Sequence, residues 1–183
     1  VSLYLLSSID IFFLKYFYGD NYVAYYSVAI KIISIISVAI NALSLSVATD
    51  IAYNFKNNNF SILKTILNKT AKIIFYFSFA LTILILMFSN SILNVFGKEY
   101  LISKEILIIL LLGNLIMAIS GNTYIYLLMT NKGKILGRLI FISVLINVIL
   151  NFILIPKYCL YGAAIYCFFS ILWALCMYTK RTE

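Results

Sequence analysis

Apolar residues run along this chain in long stretches, interrupted by charge, glycine or proline rather than by regular alternation. Stretches such as 73–88 and 106–117 hold no charged residue, and with their flanks they reach the roughly 20 residues a helix needs to cross a hydrocarbon layer. Breaking the pattern at charge, Gly and Pro predicts six helices, at 1–18, 22–53, 71–96, 105–130, 135–155 and 162–179. Membrane-spanning strands would alternate polar and apolar residues at every second position, and this chain does not. Helix also lets a lipid-exposed backbone satisfy its own hydrogen bonds. The expected fold is therefore all-α, a polytopic membrane protein whose six transmembrane helices form one bundle. The second span is too long for one perpendicular crossing, about 48 Å against a core of ~30 Å, so it must tilt or protrude. After it, the segment 54–70 sets Phe60, Leu63, Ile66 and Leu67 at helical spacing with lysines on other faces. That pattern predicts a cytoplasmic linker lying as an interfacial helix on the inner leaflet.

Composition supports the membrane reading. Hydrophobic residues make up 64% and charged ones 11% of the chain, where soluble domains have about half and about a quarter. Asp10 interrupts the first apolar stretch and no small-residue cleavage site follows, which argues against a secretory signal. The chain opens at Val1 already inside an apolar segment, which suggests a piece of something longer. Histidine is absent, and Cys159, Cys167 and Cys176 lack metal-ligand spacing.

The net charge of +8 changes the picture by setting orientation. Lys56, Lys64, Lys69, Lys72, Lys132, Lys134, Arg138, Lys180 and Arg181 fall on one side of the predicted spans, and Lys15, Lys98, Lys104 and Lys157 on the other. The richer side should be cytoplasmic, with both ends of the chain there. These lysines read as solvated loops beside anionic membrane lipids, with no nucleic acid as partner.

Ionisable groups inside a membrane are functional candidates, since one facing lipid costs roughly 2.5 to 3.5 kcal/mol. Asp10 and Lys31 qualify. With the apex of the first hairpin at 19–22, the two lie at equal depth, about 15 Å down, and a salt bridge between them is expected. Its spacing fixes depth, not purpose: a lock for the hairpin and a working site for substrate or cation both satisfy it. Ser27, Lys31, Ser34, Ser37, Asn41 and Ser44 form a polar stripe within an arc of roughly 140° on the second helix, either a packing seam or a wet cavity wall. On the fifth helix Gly133, Gly137, Ser143, Asn147 and Asn151 share a face within about 120°, turned to a neighbour or a cavity. Gly133 and Gly137 favour a close helix contact. Asn114, Ala118, Gly121 and Asn122 make a similar face on the fourth. Pro156 is expected to end the fifth helix, and Gly162 to give the sixth a narrow start.

Two segments resemble a known family. LNFILIPKYCLYGAAIYCFFS at 150–170 resembles the signature of polysaccharide flippases of the Wzx or O-antigen type, in the MOP superfamily. IDIFFLKYFYGDNYVAYYSVAIKI at 9–32 resembles the segment that opens the second half of those transporters. Cys159 stands where the family has glycine, and no proline appears near 45–48. The resemblance implies the second of two six-helix bundles, a parallel repeat. Its partner would be a missing N-terminal bundle. It implies export of an undecaprenyl-diphosphate-linked oligosaccharide across the bacterial inner membrane by alternating access, with proton or sodium coupling and no other cofactor, alongside other polysaccharide assembly proteins. Lys31 would attract the diphosphate, and Asp10 would be its partner or a cation site.

Two rivals share these features: a MATE-like multidrug or cation antiporter, and a non-transporting membrane scaffold of a glycan assembly complex. A membrane-bound polymerase or glycosyltransferase would need catalytic acids or arginines in sizeable outer loops, and the outer loops here are short, so no enzyme is expected. The transporter reading requires hydrophilic side chains of several crossings to converge on one interior, Asn147 and Lys31 among them.

Overall fold

A computed structural model describes residues 2–119, 123–130 and 133–179, with side chains placed at 9–119, 123–130 and 133–157. The order is α1 (Ser2–Tyr18), α2 (Asp20–Ser46), α3 (Ala48–Lys56), α4 (Phe60–Met87), α5 (Ser89–Phe96), a 3-10 helix (Lys98–Ser103), α6 (Lys104–Ile119), α7 (Thr123–Met129) and α8 (Gly133–Thr179). Four stretches among the described residues are long and apolar enough to cross a membrane: Asp20–Lys56, Phe60–Met87, Lys98–Ile119 and Gly133–Lys157.

The expected 22–53 helix neither stays whole nor simply tilts. It breaks at Val47 into α2 and α3, where the resemblance implies a proline and none stands. Ser46 Oγ donates to the Leu43 carbonyl at 2.8 Å, the kind of hydroxyl back-bond that bends a helix without proline. The segment 54–70, expected as an interfacial linker, is shared between two helices. α3 ends at Lys56, the chain reverses through Asn58 at φ 57, and α4 runs unbroken from Phe60 to Met87. Part of the apolar face expected on the inner leaflet packs on protein: Leu63 joins Ala48, Ile51 and Ile125 in a core, with Ile66, Leu67, Phe55 and Tyr126 against it, while Phe60 is exposed. Asn tolerates the left-handed turn because its short polar side chain bonds locally.

Further along, the expected 71–96 span divides at Phe88 into α4 and α5, and 105–130 contains α6 and α7. The largest correction concerns 135–155 and 162–179. Both belong to α8, one helix of 47 residues with Pro156 inside it, so Pro156 does not end a helix. Proline removes one ladder bond, a defect an apolar helix tolerates when neighbours support the freed groups.

The main core packs Leu14 of α1, Tyr26, Ala29, Ile32 and Ile36 of α2, Ile106, Leu107, Leu110 and Leu111 of α6, and Ile155 of α8. Hydrogen bonds set the register. Ser103 Oγ donates to the Tyr25 carbonyl and Asn114 to Ser37 Oγ, so α2 and α6 run in the same direction. Contacts of Asp10 with Asn151 and of Tyr18 with Pro156 set α1 parallel to α8.

Gly19 alone turns α1 into α2, at φ 84 and ψ −175, a conformation essentially reserved for glycine. A side chain there meets open space, so backbone strain alone opposes it. Gly19→Ala is expected to cost about 1–3 kcal/mol, read as a lower midpoint of thermal unfolding in detergent; an unchanged midpoint would contradict this turn.

Candidate functional site

Asp10 lies on α1, 4% exposed, a charged side chain buried among apolar and uncharged polar ones. Three side chains from two other helices converge on its carboxylate. Tyr26 Oη of α2 donates to Oδ2 at 3.2 Å, and Asn147 Nδ2 and Asn151 Nδ2 of α8 donate to Oδ1 at 3.3 and 2.5 Å. Asn151 Nδ2 also reaches Asn147 Oδ1 at 3.2 Å. The pair at i and i+4 projects from adjacent turns of one face of α8. Tyr26, Asn147 and Asn151 are 1%, 1% and 0% exposed. Asn151 Oδ1 is buried with no hydrogen-bond partner.

The expected Asp10–Lys31 salt bridge is absent. Lys31 is exposed, and an ion pair instead joins Lys15 to Asp20 at 3.2 Å near the turn, both largely exposed. The reason is the position of the apex. Because Gly19 alone makes the turn, the residue level with Asp10 is Val28, and Lys31 lies about 4.5 Å deeper on another face of α2.

The remaining candidates divide. Asn114, 6% exposed, donates to Ser37 Oγ at 3.2 Å. Ser34 is exposed and turns its hydroxyl back to the Lys31 carbonyl at 2.7 Å, and Asn41 is exposed as well. The stripe on α2 is thus split: Lys31, Ser34 and Asn41 form an open face, while Ser37 and Ser44 point inward. Asn122 lies outside the described residues, and Gly162 belongs to the backbone of α8 where side chains are not described. A Cβ built on Gly133 or Gly137 meets nothing within 4 Å, so among the described residues no close helix contact is made at that pair. Asn147 therefore converges on the interior and Lys31 does not.

Several buried polar groups were not among the expected site residues. Tyr26 stood only within the segment 9–32 that carries the resemblance, and its meeting with Asp10 follows from the turn at Gly19. Ser78 and Thr82 of α4, 0% and 2% exposed, carry hydroxyls without partners. They sit in the charge-free run 73–88, whose mean hydropathy hid them. Among the described residues no three His, Cys, Asp or Glu side chains are grouped to hold a metal.

Neutral donors stabilise a bare carboxylate, each by about 1.5–3 kcal/mol, against a burial penalty of several kcal/mol for the ion. No basic side chain stands beside Asp10 among the described residues, so the negative charge is solvated by dipoles and not neutralised. A half-turn of either amide exchanges its N–H for an oxygen, so the same side chains are able to hold the bare carboxylate or to join it around a small cation.

A family model described as MatE matches residues 1–153. No curated protein and no solved structure matches the chain.

Proposed function

Since the chain belongs to the MatE family, whose members are membrane transporters of the MOP superfamily, we propose that it forms part of an exporter driven by a proton or sodium ion bound at Asp10. The cargo on this reading is an oligosaccharide linked to undecaprenyl diphosphate, moved outward across the inner membrane by alternating access. The observation that carries the coupling role is the buried Asp10 carboxylate, held by Tyr26, Asn147 and Asn151 with no cationic side chain paired to it among the described residues. Catalysis plays no part, in keeping with the family's character as transporters.

The cargo assignment rests on the segments 9–32 and 150–170 and on the open face of α2. Lys31 facing acyl chains would cost roughly 2.5–3.5 kcal/mol, which favours a water-filled cleft against that face, walled on its other side by a first bundle. There Lys31, with Ser34 and Asn41, meets the diphosphate and sugar hydroxyls, and the cytoplasm borders both ends of this segment. A MATE-like antiporter is the second reading, favoured by the same unpaired carboxylate, because Lys31 does not neutralise Asp10.

Lys31→Ala in the full-length protein separates the readings. Loss of a charge-assisted contact to the diphosphate is expected to lower surface polysaccharide about ten-fold or more, while the lipid-linked intermediate accumulates inside. Lost drug resistance with normal polysaccharide would point to the antiporter, and little effect on either to a scaffold.

A further inference from the structure

Pro156 interrupts α8 between two polar contacts with α1. On one side Asn147 and Asn151 donate to Asp10. On the other, Tyr18 Oη donates to the Pro156 carbonyl at 3.0 Å. Between them, Pro156 has no N–H to offer the Phe152 carbonyl, so this turn of α8 lacks a ladder bond and is where the helix bends most readily. The segment of α1 that bridges the gap is continuous helix, with Asp10 and Tyr18 about 12 Å apart along it. A straight rod is thus fastened to a jointed one on both sides of the joint.

We propose that Tyr18 is a positioning residue that holds α8 at Pro156 when the charge state of Asp10 changes, so that the helix bends in the turn 152–156 rather than sliding as a whole, a role that rests on the coupling-site reading above. A bare carboxylate holds both amides. A proton or cation arriving there competes for the oxygen lone pairs that the amide N–H groups use, and the inner part of α8 is released from α1. Pro156 remains tied to Tyr18, so the displacement is taken up in the turn 152–156 and Pro156 keeps its place at the end of α1. Without the Tyr18 hydroxyl, α8 slides as one piece and the joint is not used.

The test uses the full-length protein in native membranes, with Cys159, Cys167 and Cys176 changed to alanine. Lys157→Cys, at an exposed position beside the joint, is labelled with a membrane-impermeant maleimide. Asp10→Asn holds the site permanently neutral. It is expected to leave the labelling rate unchanged when Tyr18 is present, because Pro156 keeps its place, and to change it about two- to ten-fold, the weight of one hydrogen bond, when Tyr18→Phe accompanies it and α8 slides as one piece. Equal shifts in both backgrounds, or no shift in either, overturn the proposal. If Asp10→Asn does not accumulate, Asn151→Ala loosens the same contact from the α8 side and completes the cycle. Export measured on the same cells separates the two readings. Lost export without a Tyr18-dependent shift discards Tyr18 and keeps the coupling site, whereas export intact in Asp10→Asn discards the coupling site whatever the labelling does.

Discussion

Asp10→Asn is expected to abolish coupled export while leaving the protein in the membrane at its normal level. The substitution keeps the shape of the side chain and removes the charge that a proton or cation would meet. Ionic hydrogen bonds are worth about 1.5–3 kcal/mol each, so losing the carboxylate should weaken cation binding roughly 100-fold or more. Stability should move little or upward, because a buried charge carries a desolvation penalty that an amide avoids. Surface polysaccharide, lipid-linked intermediate and thermal unfolding of the purified protein measure the two halves of this prediction. A variant that exports normally, or one that fails to fold, would each contradict it.

The second large effect is expected at Asn151. Its side chain is fully buried and bonds both Asp10 and Asn147, so Asn151→Ala removes the shortest contact to the carboxylate and the brace between the two amides together. Loss of stability should be about 2–3 kcal/mol, the worth of a hydrogen bond to a charged group plus a small cavity. Apparent affinity for the driving ion should fall roughly 10- to 100-fold. Asn68→Ala is the matching control: Asn68 is exposed on α4, and its change should stay within about 0.5 kcal/mol. Thermal unfolding and the ion concentration giving half-maximal export report these differences. Equal effects at the two positions would mean that Asn151 is not part of a site.

How much of this was legible in the sequence depended on how local the signal was. Asp10, Asn147 and Asn151 stand out as polar groups in apolar helices, and their burial follows from the penalty for facing lipid. Their meeting depended on the path of α8 beside α1, which no spacing within one helix discloses. The Lys31 pairing failed because the turn was centred between two residues when Gly19 alone makes it, and an error of one or two residues at a hairpin apex is doubled at the partner.

Helix ends failed in both directions. The breaks at Val47 and Phe88 occur at residues with no breaking tendency, so local sequence does not signal them; at the first, the Ser46 hydroxyl back-bonds to Leu43. Pro156 has a strong breaking tendency, and the helix continues through it. In an apolar setting the alternative to helix is an unsatisfied backbone, which outweighs one missing bond. Gly133 and Gly137 permit a close approach without enforcing one, and no neighbour among the described residues takes the space.

Asp10 as the entry point for the driving ion is tested most directly in sealed membrane vesicles holding the full-length protein and its lipid-linked cargo. Translocation is followed while a proton or sodium gradient is imposed and then collapsed. With the native residue, translocation should rise with one of the two gradients and fall when that gradient is dissipated, and with Asp10→Asn it should ignore both. Gradient-dependent translocation at the native rate in Asp10→Asn would place the energy coupling elsewhere in the molecule.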